Sequence, residues 1–525
     1  MTDPSSVEQS AERRPYGLRL ALLAGVLLWL SCPAANLWPL AWIAVCPLIL
    51  SISRAGRFRQ ALWRGYIFGW VYLGIVWYWT GTIISSWTHS AIGWVAWFAL
   101  TLLLALFYAL WAGFAWLIWQ SQTGWRRVIG IAAAWTAMEY LRTVGTIGMP
   151  WAQVSYTQTL CLPMIQIADI TGAVGVSFLV VLFNAALADY WSLANPRDWK
   201  RSQIPLAAAT AAIACLYGIF KLFSPVHAPT IVAAAMQPNF HATGDTNTLR
   251  DLSVISKLTQ EAQEHQNSAG SDPISLFVWP EGASPGDAVN DNAARSTLIS
   301  ISEHSRAALT TGSQVVEPRS RKEYNSSVLF TPDGAEPQRY DKQHLVPFGE
   351  FIPFRSALPE FLDSTFQFPP TDIVPGSGNR PLNFVDLHGT SVSLGPFICY
   401  ESVYPAYARH MATAGANLLI NQSNDDWLQS DSGIEQHLSA VVMRAVENRR
   451  DTVRSTSTGI TCIIDSRGRR SGAVPTYSPG YVVKRVHLLS DKSLYTRLGD
   501  WFPLSCILFT ALLIYGSRIK KVVTH

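Results

Sequence analysis

Three residues in the middle of this 525-residue chain have the types and settings that acyl chemistry needs. Cys399 stands in Gly395-Pro396-Phe397-Ile398-Cys399-Tyr400-Glu401, and Glu281 in Phe277-Val278-Trp279-Pro280-Glu281. Lys342 stands in Tyr340-Asp341-Lys342-Gln343-His344-Leu345-Val346-Pro347-Phe348-Gly349-Glu350. A thiol needs a base to become a nucleophile, and a carbonyl under attack needs a positive or hydrogen-bonding group for its developing oxyanion. Glu, Lys and Cys supply those three functions. A free cysteine met alone is most often a buried structural thiol. The two partners in equally distinctive settings are what favour a nucleophile here.

Such residues need a scaffold. From about Ala228 to Ser490 the apolar residues come in short β-rich runs: Thr230–Met236, Ile274–Trp279, Ala307–Thr311, Ser327–Thr331, Ser391–Cys399, Asn417–Asn421, Asp451–Ser455 and Thr461–Asp465. Between several of them lie stretches of helical period, Leu249–His265, Ala294–Arg306 and Gly433–Asn448. The alternation predicts an α/β domain whose chemistry sits at strand ends and the loops after them. Glu281, Lys342 and Cys399 are each expected to follow or end a strand.

The rest of the chain is of another kind. Hydrophobic residues make up 49% and charged residues only 14%, against about a quarter charged in soluble proteins. The apolar residues crowd before about residue 225 and recur in one run near the C-terminus, in stretches close to the roughly 20 residues that span a bilayer. Eight spans are predicted, centred on Leu18–Cys32, Leu37–Ile52, Ala61–Ile84, Ile92–Trp119, Ile129–Arg142, Ala173–Trp191, Pro205–Phe223 and Phe502–Tyr515. Basic clusters mark alternate loops: Arg13 and Arg14; Arg54, Arg57 and Arg59; Arg126 and Arg127; Arg197, Lys200 and Arg201; Arg518, Lys520 and Lys521. The positive-inside rule then puts both termini in the cytoplasm and the domain carrying Cys399 on the outer side.

The expected organisation is a cytoplasmic tail over 1–16, seven spans over 17–225, the outward catalytic domain over 226–495, an eighth span over 496–517 and a cytoplasmic tail over 518–525. The first span reads as an anchor rather than a cleavable signal, since it runs into Pro33, Trp38 and a second apolar stretch. Leu30-Ser31-Cys32 resembles the end of a lipoprotein cleavage site, but Trp29 is too large for one, so Cys32 is assigned to membrane packing. Glu139 and Arg142, within one helical turn, are expected to pair inside the bundle. The net charge of +4 is accounted for by the cytoplasmic loops and gives no support to nucleic-acid binding. Seven cysteines, most of them in apolar spans, imply no disulfide framework, and no Cys-x-x-Cys or His-x-x-His spacing suggests a metal.

The order Glu, Lys, Cys resembles the nitrilase superfamily, which implies an α-β-β-α sandwich. The surrounding words are more specific. Trp279-Pro280-Glu281, Tyr340-x-Lys342-x-His344-Leu345-Val346-Pro347-Phe348-Gly349-Glu350, Ile398-Cys399-Tyr400-Glu401, Asn421-x-Ser423-Asn424-Asp425-x-Trp427 and Gln436-His437-Leu438…Arg444-Ala445-x-Glu447 are similar to the apolipoprotein N-acyltransferase family. Glu139-Tyr140-Leu141-Arg142…Pro150-Trp151 and Gly172…Gly175-Val176-Ser177-Phe178…Asn184 extend the likeness into the apolar part. Three departures are Asp426 where a small residue is usual, Ser457 where Asn is usual, and no Trp in His241–Thr248, near Thr246. They leave the three catalytic positions untouched and bear on the shape of the acyl or lipopeptide pocket.

The resemblance implies a bacterial inner-membrane acyltransferase without cofactor or metal, acting as a monomer with its catalytic domain in the periplasm. A phospholipid would donate an acyl chain to Cys399, and the α-amine of a diacylglyceryl-cysteine on an apolipoprotein would capture it. Glu281 would be the base, Lys342 the oxyanion partner and Glu350 a supporting carboxylate. Tyr400 and Glu401 would add backbone N–H groups to the oxyanion hole and hold Lys342 or the amine. His344 and His437 are assigned to local hydrogen bonds, because the family uses Glu as its base. Phe348-Gly349-Glu350-Phe351-Ile352-Pro353-Phe354 and Leu358…Phe361-Leu362…Phe366-x-Phe368-Pro369 are too apolar for an exposed loop. They form either a satellite core or a lid that closes over acyl chains, with Phe351 and Phe354 as substrate contacts. Two rival readings are a membrane-tethered amidase or nitrilase acting on a small C–N substrate, and a transporter with an inactive appended domain. The apolar loop and multispan anchor argue against the first; few charges within spans and no inverted repeat argue against the second.

Overall fold

A computed structural model describes residues 4–145, 148–193, 202–240, 248–357 and 372–523. The chain forms two compact units, Met1–Phe223 with Asp500–His525, and Ser224–Gly499.

In the first unit every apolar run lies in helix. These are Pro4–Ser31, the series Trp38–Leu40, Ala41–Ala44 and Cys46–Ser53, then Phe58–Val76, Tyr78–Thr88, Ile92–Ser121, Gly124–Leu141, Ala173–Trp191, Ile204–Phe223 and Trp501–Val523. By length and composition three can cross a membrane, Ile92–Ser121, Ala173–Trp191 and Ile204–Phe223. Phe58–Val76 and Tyr78–Ser86, bent by 52°, make a fourth if they are one span. The expected count of eight is therefore met only in part among the described residues. Tyr16–Ser31, Trp38–Ser53 and Trp501–Gly516 are apolar but shorter, and Gly124–Leu141 carries Arg126, Arg127 and Glu139, all costly in hydrocarbon.

Ile204–Phe223 shows what its surroundings must be. Its buried residues are Ala207, Ala214, Gly218 and Leu222, while Ile213, Leu216, Phe220 and Phe223 are at least 66% exposed. Small residues inward and large apolar residues outward invert the pattern of a water-facing helix and match one that faces lipid.

Glu139 and Arg142 do not pair as expected. Glu139 Oε1 accepts the Val154 N–H at 2.9 Å, while Arg142 donates to the Tyr108 hydroxyl at 3.3 Å and the Ala152 carbonyl at 3.4 Å. The segment Trp151–Gln158 is buried throughout yet not α-helical, so its backbone groups need side-chain partners, and the two charged residues supply them.

The second unit contains two six-stranded sheets. The strands are β1 Thr230–Gln237, β2 Leu276–Val278, β3 Ala308–Val316, β4 Glu323–Phe330, β5 Gln338–Asp341, β6 Leu382–Val385, β7 Ser391–Ile398, β8 Leu418–Ser423, β9 Thr452–Thr456, β10 Cys462–Ile464, β11 Arg470–Ala473 and β12 Gly480–His487. One sheet has the order β12-β1-β2-β3-β4-β5 and the other β11-β10-β9-β8-β7-β6. Each has a parallel centre, β1-β2-β3 and β7-β8-β9, with antiparallel strands outside it. Helices Thr248–Ser268, Asn292–Ser305, Pro405–Thr413 and Asp431–Asn448 make the crossovers that parallel neighbours require.

The central strands β1 and β8 are buried on both faces, because helices cover one side and the other sheet covers the second. Ser455 Oγ on β9 donates to the Met236 carbonyl on β1 at 2.6 Å, and Gln422 Nε2 on β8 donates to the Trp279 carbonyl at 2.7 Å. The sheets thus meet face to face in a nitrilase-like sandwich.

That arrangement fixes the chain ahead of Glu281. Trp279 is fully buried among Phe277, Leu298 and Leu309, its indole N–H bonds Thr259 of the outer helix at 3.0 Å, and its carbonyl is held by the opposite sheet. On the neighbouring strand, Gly312 has no side chain to separate β3 from the turn. A Cβ there would stand 2.5 Å from Glu281 Cα and 2.5 Å from the Gly282 nitrogen. Gly312→Ala must push two backbones apart, at a cost of about 1–3 kcal/mol, and should lower both Tm and turnover; an unchanged Tm would show that the turn yields freely.

Candidate active site

Glu281 follows β2, Lys342 follows β5, Cys399 follows β7 directly, and Ser423-Asn424-Asp425 leave β8. Four strand ends drawn from both sheets therefore contribute to one place. β5 was not among the runs read as strands, so the element that carries Lys342 is a finding of the structure.

Lys342 is the centre. Its side chain is 1% exposed, and its ammonium lies 2.9 Å from Glu350 Oε1 and 3.3 Å from Glu281 Oε1. Asn325, on β4, joins the same two carboxylates: its Nδ2 donates to Glu281 Oε1 at 2.7 Å and to Glu350 Oε1 at 2.8 Å. Its carbonyl accepts the Lys342 backbone N–H at 2.7 Å. The remaining carboxylate oxygens are bonded too, Glu281 Oε2 by the Asn424 N–H and Glu350 Oε2 by the Val346 N–H, each at 2.8 Å. Burial by itself would depress the ammonium, but Glu281 and Glu350 outweigh it and hold Lys342 charged, above its usual range.

Cys399 is 1% exposed and has φ +46°, a left-handed conformation uncommon for a non-glycine residue. Burial, and then the Glu281 carboxylate, push the thiol above its ordinary range, while Lys342 and the Ser423 hydroxyl pull the other way. The resting sulfur is therefore a neutral thiol beside an anionic cluster. It becomes a nucleophile only if a base removes its proton as the bond forms, and Glu281 is the carboxylate that acts most strongly on it.

Glu401 is wholly buried, and its partners differ from those expected of it. Oε1 accepts from the Tyr340 hydroxyl at 2.8 Å and from the N–H groups of Gln343 and His344 at 2.7 and 3.2 Å; Oε2 accepts from the Ile398 N–H at 2.7 Å. It holds the backbone next to Lys342 and the strand end before Cys399, not the ammonium. Burial raises this carboxyl to about 7 against the pull of those donors. Tyr400 is also buried, with its hydroxyl accepting from the Tyr404 hydroxyl at 3.2 Å.

His344 and His437 both have local partners. His344 Nδ1 lies 3.0 Å from the Tyr407 hydroxyl, its ring is 3.8 Å from that of Tyr404, and burial holds it down at about 4. His437 does more than satisfy itself: Nδ1 is 2.9 Å from Asp425 Oδ1, and Nε2 is 3.0 Å from the Cys399 carbonyl oxygen. Asp425 also accepts from Ser423 Oγ at 2.7 Å and from Arg454 at 2.5 Å. Burial would raise this carboxyl, but Arg454 and then His437 hold it far below its usual value.

Of the proposed lid residues, Phe351 is half-buried and Phe354 is 71% exposed, with Phe348 exposed beside them. The Phe348 N–H bonds the Phe351 carbonyl at 2.7 Å. The run from Leu358 to Pro369 and the site of the absent Trp, near Thr246, lie outside the described residues. Asp426 and Ser457 are buried next to the site, and the Ser457 N–H donates to the Ser423 carbonyl at 3.1 Å. Asn325 escaped the sequence reading. A polar Asn inside the strand Glu323–Phe330, whose following residues are all buried, was the available signal.

The pattern described as the apolipoprotein N-acyltransferase N-terminal domain matches residues 24–186, and the carbon-nitrogen hydrolase pattern matches residues 232–489. An apolipoprotein N-acyltransferase of Geobacter metallireducens is 32% identical over 524 residues, covering 98% of this chain and 97% of that protein. The chain belongs to the apolipoprotein N-acyltransferase family. A Pseudomonas syringae pv. tomato apolipoprotein N-acyltransferase is 30% identical across 97% of this chain and 98% of its own length. Among solved structures, Saccharomyces cerevisiae Nit3, a member of branch 10 of the nitrilase superfamily, is 18% identical with a TM-score of 0.38, covering 50% of this chain and 92% of that one. The chain is accordingly an acyltransferase of lipoprotein maturation, built from an apolar helical unit and a carbon-nitrogen hydrolase domain.

Proposed function

We propose that the enzyme transfers an acyl chain in two half-reactions through a thioester on Cys399, with Glu281 as base and Lys342 as oxyanion partner. The observation that carries this reading is the buried Lys342 ammonium held between the partly buried Glu281 and Glu350 carboxylates, beside a neutral, buried thiol. In the first half-reaction Cys399 attacks the ester carbonyl of a phospholipid while Glu281 takes the thiol proton. Lys342 stabilises the tetrahedral oxyanion, and collapse returns the proton to the departing lysophospholipid alcohol. In the second, the α-amine of a diacylglyceryl-cysteine on an apolipoprotein attacks the thioester. Its proton passes to Glu281 and on to the sulfur, so thiol and amide are released. Glu350 keeps Lys342 charged and in place.

A thioester suits this task because an amine captures it readily, provided water is excluded. The enzyme acts as a monomer, without cofactor, metal or nucleic acid, in the bacterial inner membrane. Eight spans, both termini in the cytoplasm and a periplasmic catalytic domain are the reading that the basic clusters support. Trp63, Trp125 and Trp191 agree with it, being exposed near Arg57, Arg126 and the end of Ala173–Trp191, as interfacial aromatics would be. Phe351 and Phe354 close over the acyl chain from the loop after Lys342; the exposure of Phe354 supports this part.

Mass spectrometry of the purified enzyme with phospholipid should find acyl mass on the Cys399 peptide, removable by hydroxylamine. Cys399→Ser should abolish transfer, and Cys462→Ala should leave it nearly intact; equal loss in both variants would exclude a single nucleophile. A hydrolase of small amides would show no lipid adduct.

A reporter fused after Phe223 should be active outside the cytoplasm, and one fused after Arg127 inside it. Reversal of either fusion would take the catalytic domain out of the compartment proposed.

Polar replacements of Phe351 and Phe354 should weaken phospholipid use while sparing reaction with a short soluble ester, since acyl burial worth roughly 1.5–3 kcal/mol per aromatic is what they remove. If the two residues are core packing instead, Tm and both reactions fall together.

A further inference from the structure

We infer that His437 is a positioning residue that aims the peptide between Cys399 and Tyr400 so that the Tyr400 N–H serves the oxyanion. The inference rests on Cys399 being the acylated residue. His437 lies on the helix Asp431–Asn448, fully buried, and its two ring nitrogens face two acceptors, Asp425 Oδ1 at 2.9 Å and the Cys399 carbonyl oxygen at 3.0 Å. Neither a carboxylate nor a carbonyl can donate. Each ring nitrogen is therefore placed where its N–H can donate to the acceptor it faces.

The Asp425 carboxylate is itself immobilised. Ser423 donates to the oxygen that His437 uses, Arg454 donates to the other, and Gly459 leaves room for the carboxylate where a Cβ would come within 2.1 Å of Oδ2. Arg454 is in turn held by Asn421 on the neighbouring strand. The His437 ring is thus fixed at one nitrogen by a rigid, buried network and presents the other to the backbone of Cys399.

Peptide planarity makes this consequential. In a trans peptide the C=O of one residue and the N–H of the next lie in one plane and point in opposite directions. A donor that captures the Cys399 carbonyl therefore sets the direction of the Tyr400 N–H. Cys399 sits at φ +46°, where few residues rest unaided, so the peptide after it needs an external hold. Glu401 fixes the chain before the nucleophile through the Ile398 N–H, and His437 fixes the peptide after it. Cys399 alkylation by a small halide forms no oxyanion, so it needs the thiol but not the aimed N–H.

The test compares two amide substitutions. An Asn amide nitrogen falls near the imidazole Nδ1 and a Gln amide nitrogen near Nε2, so H437N keeps the bond to Asp425 and H437Q keeps the bond to the Cys399 carbonyl. Each full-length variant, purified as a monodisperse fraction, is assayed for Cys399 acylation by phospholipid, Cys399 alkylation by iodoacetamide, phospholipid KM and Tm. H437N should lose about 100-fold or more in acylation, the scale of a missing oxyanion donor, with KM unchanged and alkylation within about threefold of the parent. H437Q should stay within about tenfold in acylation. The acylation-to-alkylation ratio separates the two roles even where Tm has fallen. Equal acylation in the two variants, retention in H437N, or a parallel loss of acylation and alkylation would overturn the inference. Absence of any acyl adduct on Cys399 in the parent enzyme would instead overturn the thioester mechanism itself.

Discussion

The structure depends on keeping one ammonium charged in a place from which water is excluded. An isolated buried lysine would surrender its proton. Lys342 retains it because two carboxylates lie within 3.3 Å. Those carboxylates are equally costly to bury, so Asn325, Asn424 and Val346 supply donors to them. Each partner comes from a different strand end or loop. The sandwich topology can be understood as the means of bringing those ends together: β2, β4 and β5 belong to one sheet, β7 and β8 to the other.

Two carboxylates stand against one ammonium, and after burial one of them, Glu281, does most to set how the thiol behaves. A cysteine beside a lone lysine would ionise and react with any soluble electrophile. Here burial and Glu281 keep it protonated, and in the proposed mechanism it reacts fastest with a bound carbonyl whose developing oxyanion gives Lys342 a new partner. Glu350 matters for the same reason. In the proposed mechanism it lets Lys342 turn toward the oxyanion without leaving Glu281 as the sole counter-charge.

Much of this was legible in the sequence, and the gaps have physical causes. Each of the eight β-rich runs overlaps a strand, though several end short of it or run past it, because apolar residues in short runs bounded by turns have few other ways to be buried. β5, β6, β11 and β12, the four edge strands, were missed: Gln338–Asp341 and Arg470–Ala473 are four-residue polar strands, Leu382–Val385 is as short with every second residue exposed, and Gly480–His487 mixes Lys and Arg with its valines. They are held in place by their neighbours rather than by their own composition. Glu401 and His437 were noticed through motifs, but motif words do not reveal which backbone group a buried side chain will satisfy. The Glu139–Arg142 pairing failed likewise, since helical spacing reports proximity and cannot register the Val154 N–H and Ala152 carbonyl that the two side chains bond instead.

The turn at Cys399 shows how the two kinds of information join. A left-handed cysteine is unfavourable by itself, and neither of its immediate neighbours, Ile398 and Tyr400, is a glycine that would relieve it. The conformation persists because Glu401 binds the backbone before it and His437 the carbonyl at it, one anchored through Tyr340 to the first sheet and the other through Asp425 and Arg454 to the second. Strain at the nucleophile is thereby spread over both halves of the sandwich. Residues far from the sulfur in sequence thus hold the backbone that carries it, and if Cys399 is the acylated residue, as proposed, a change at β5 or β9 alters acyl transfer without touching Glu281, Lys342 or Cys399.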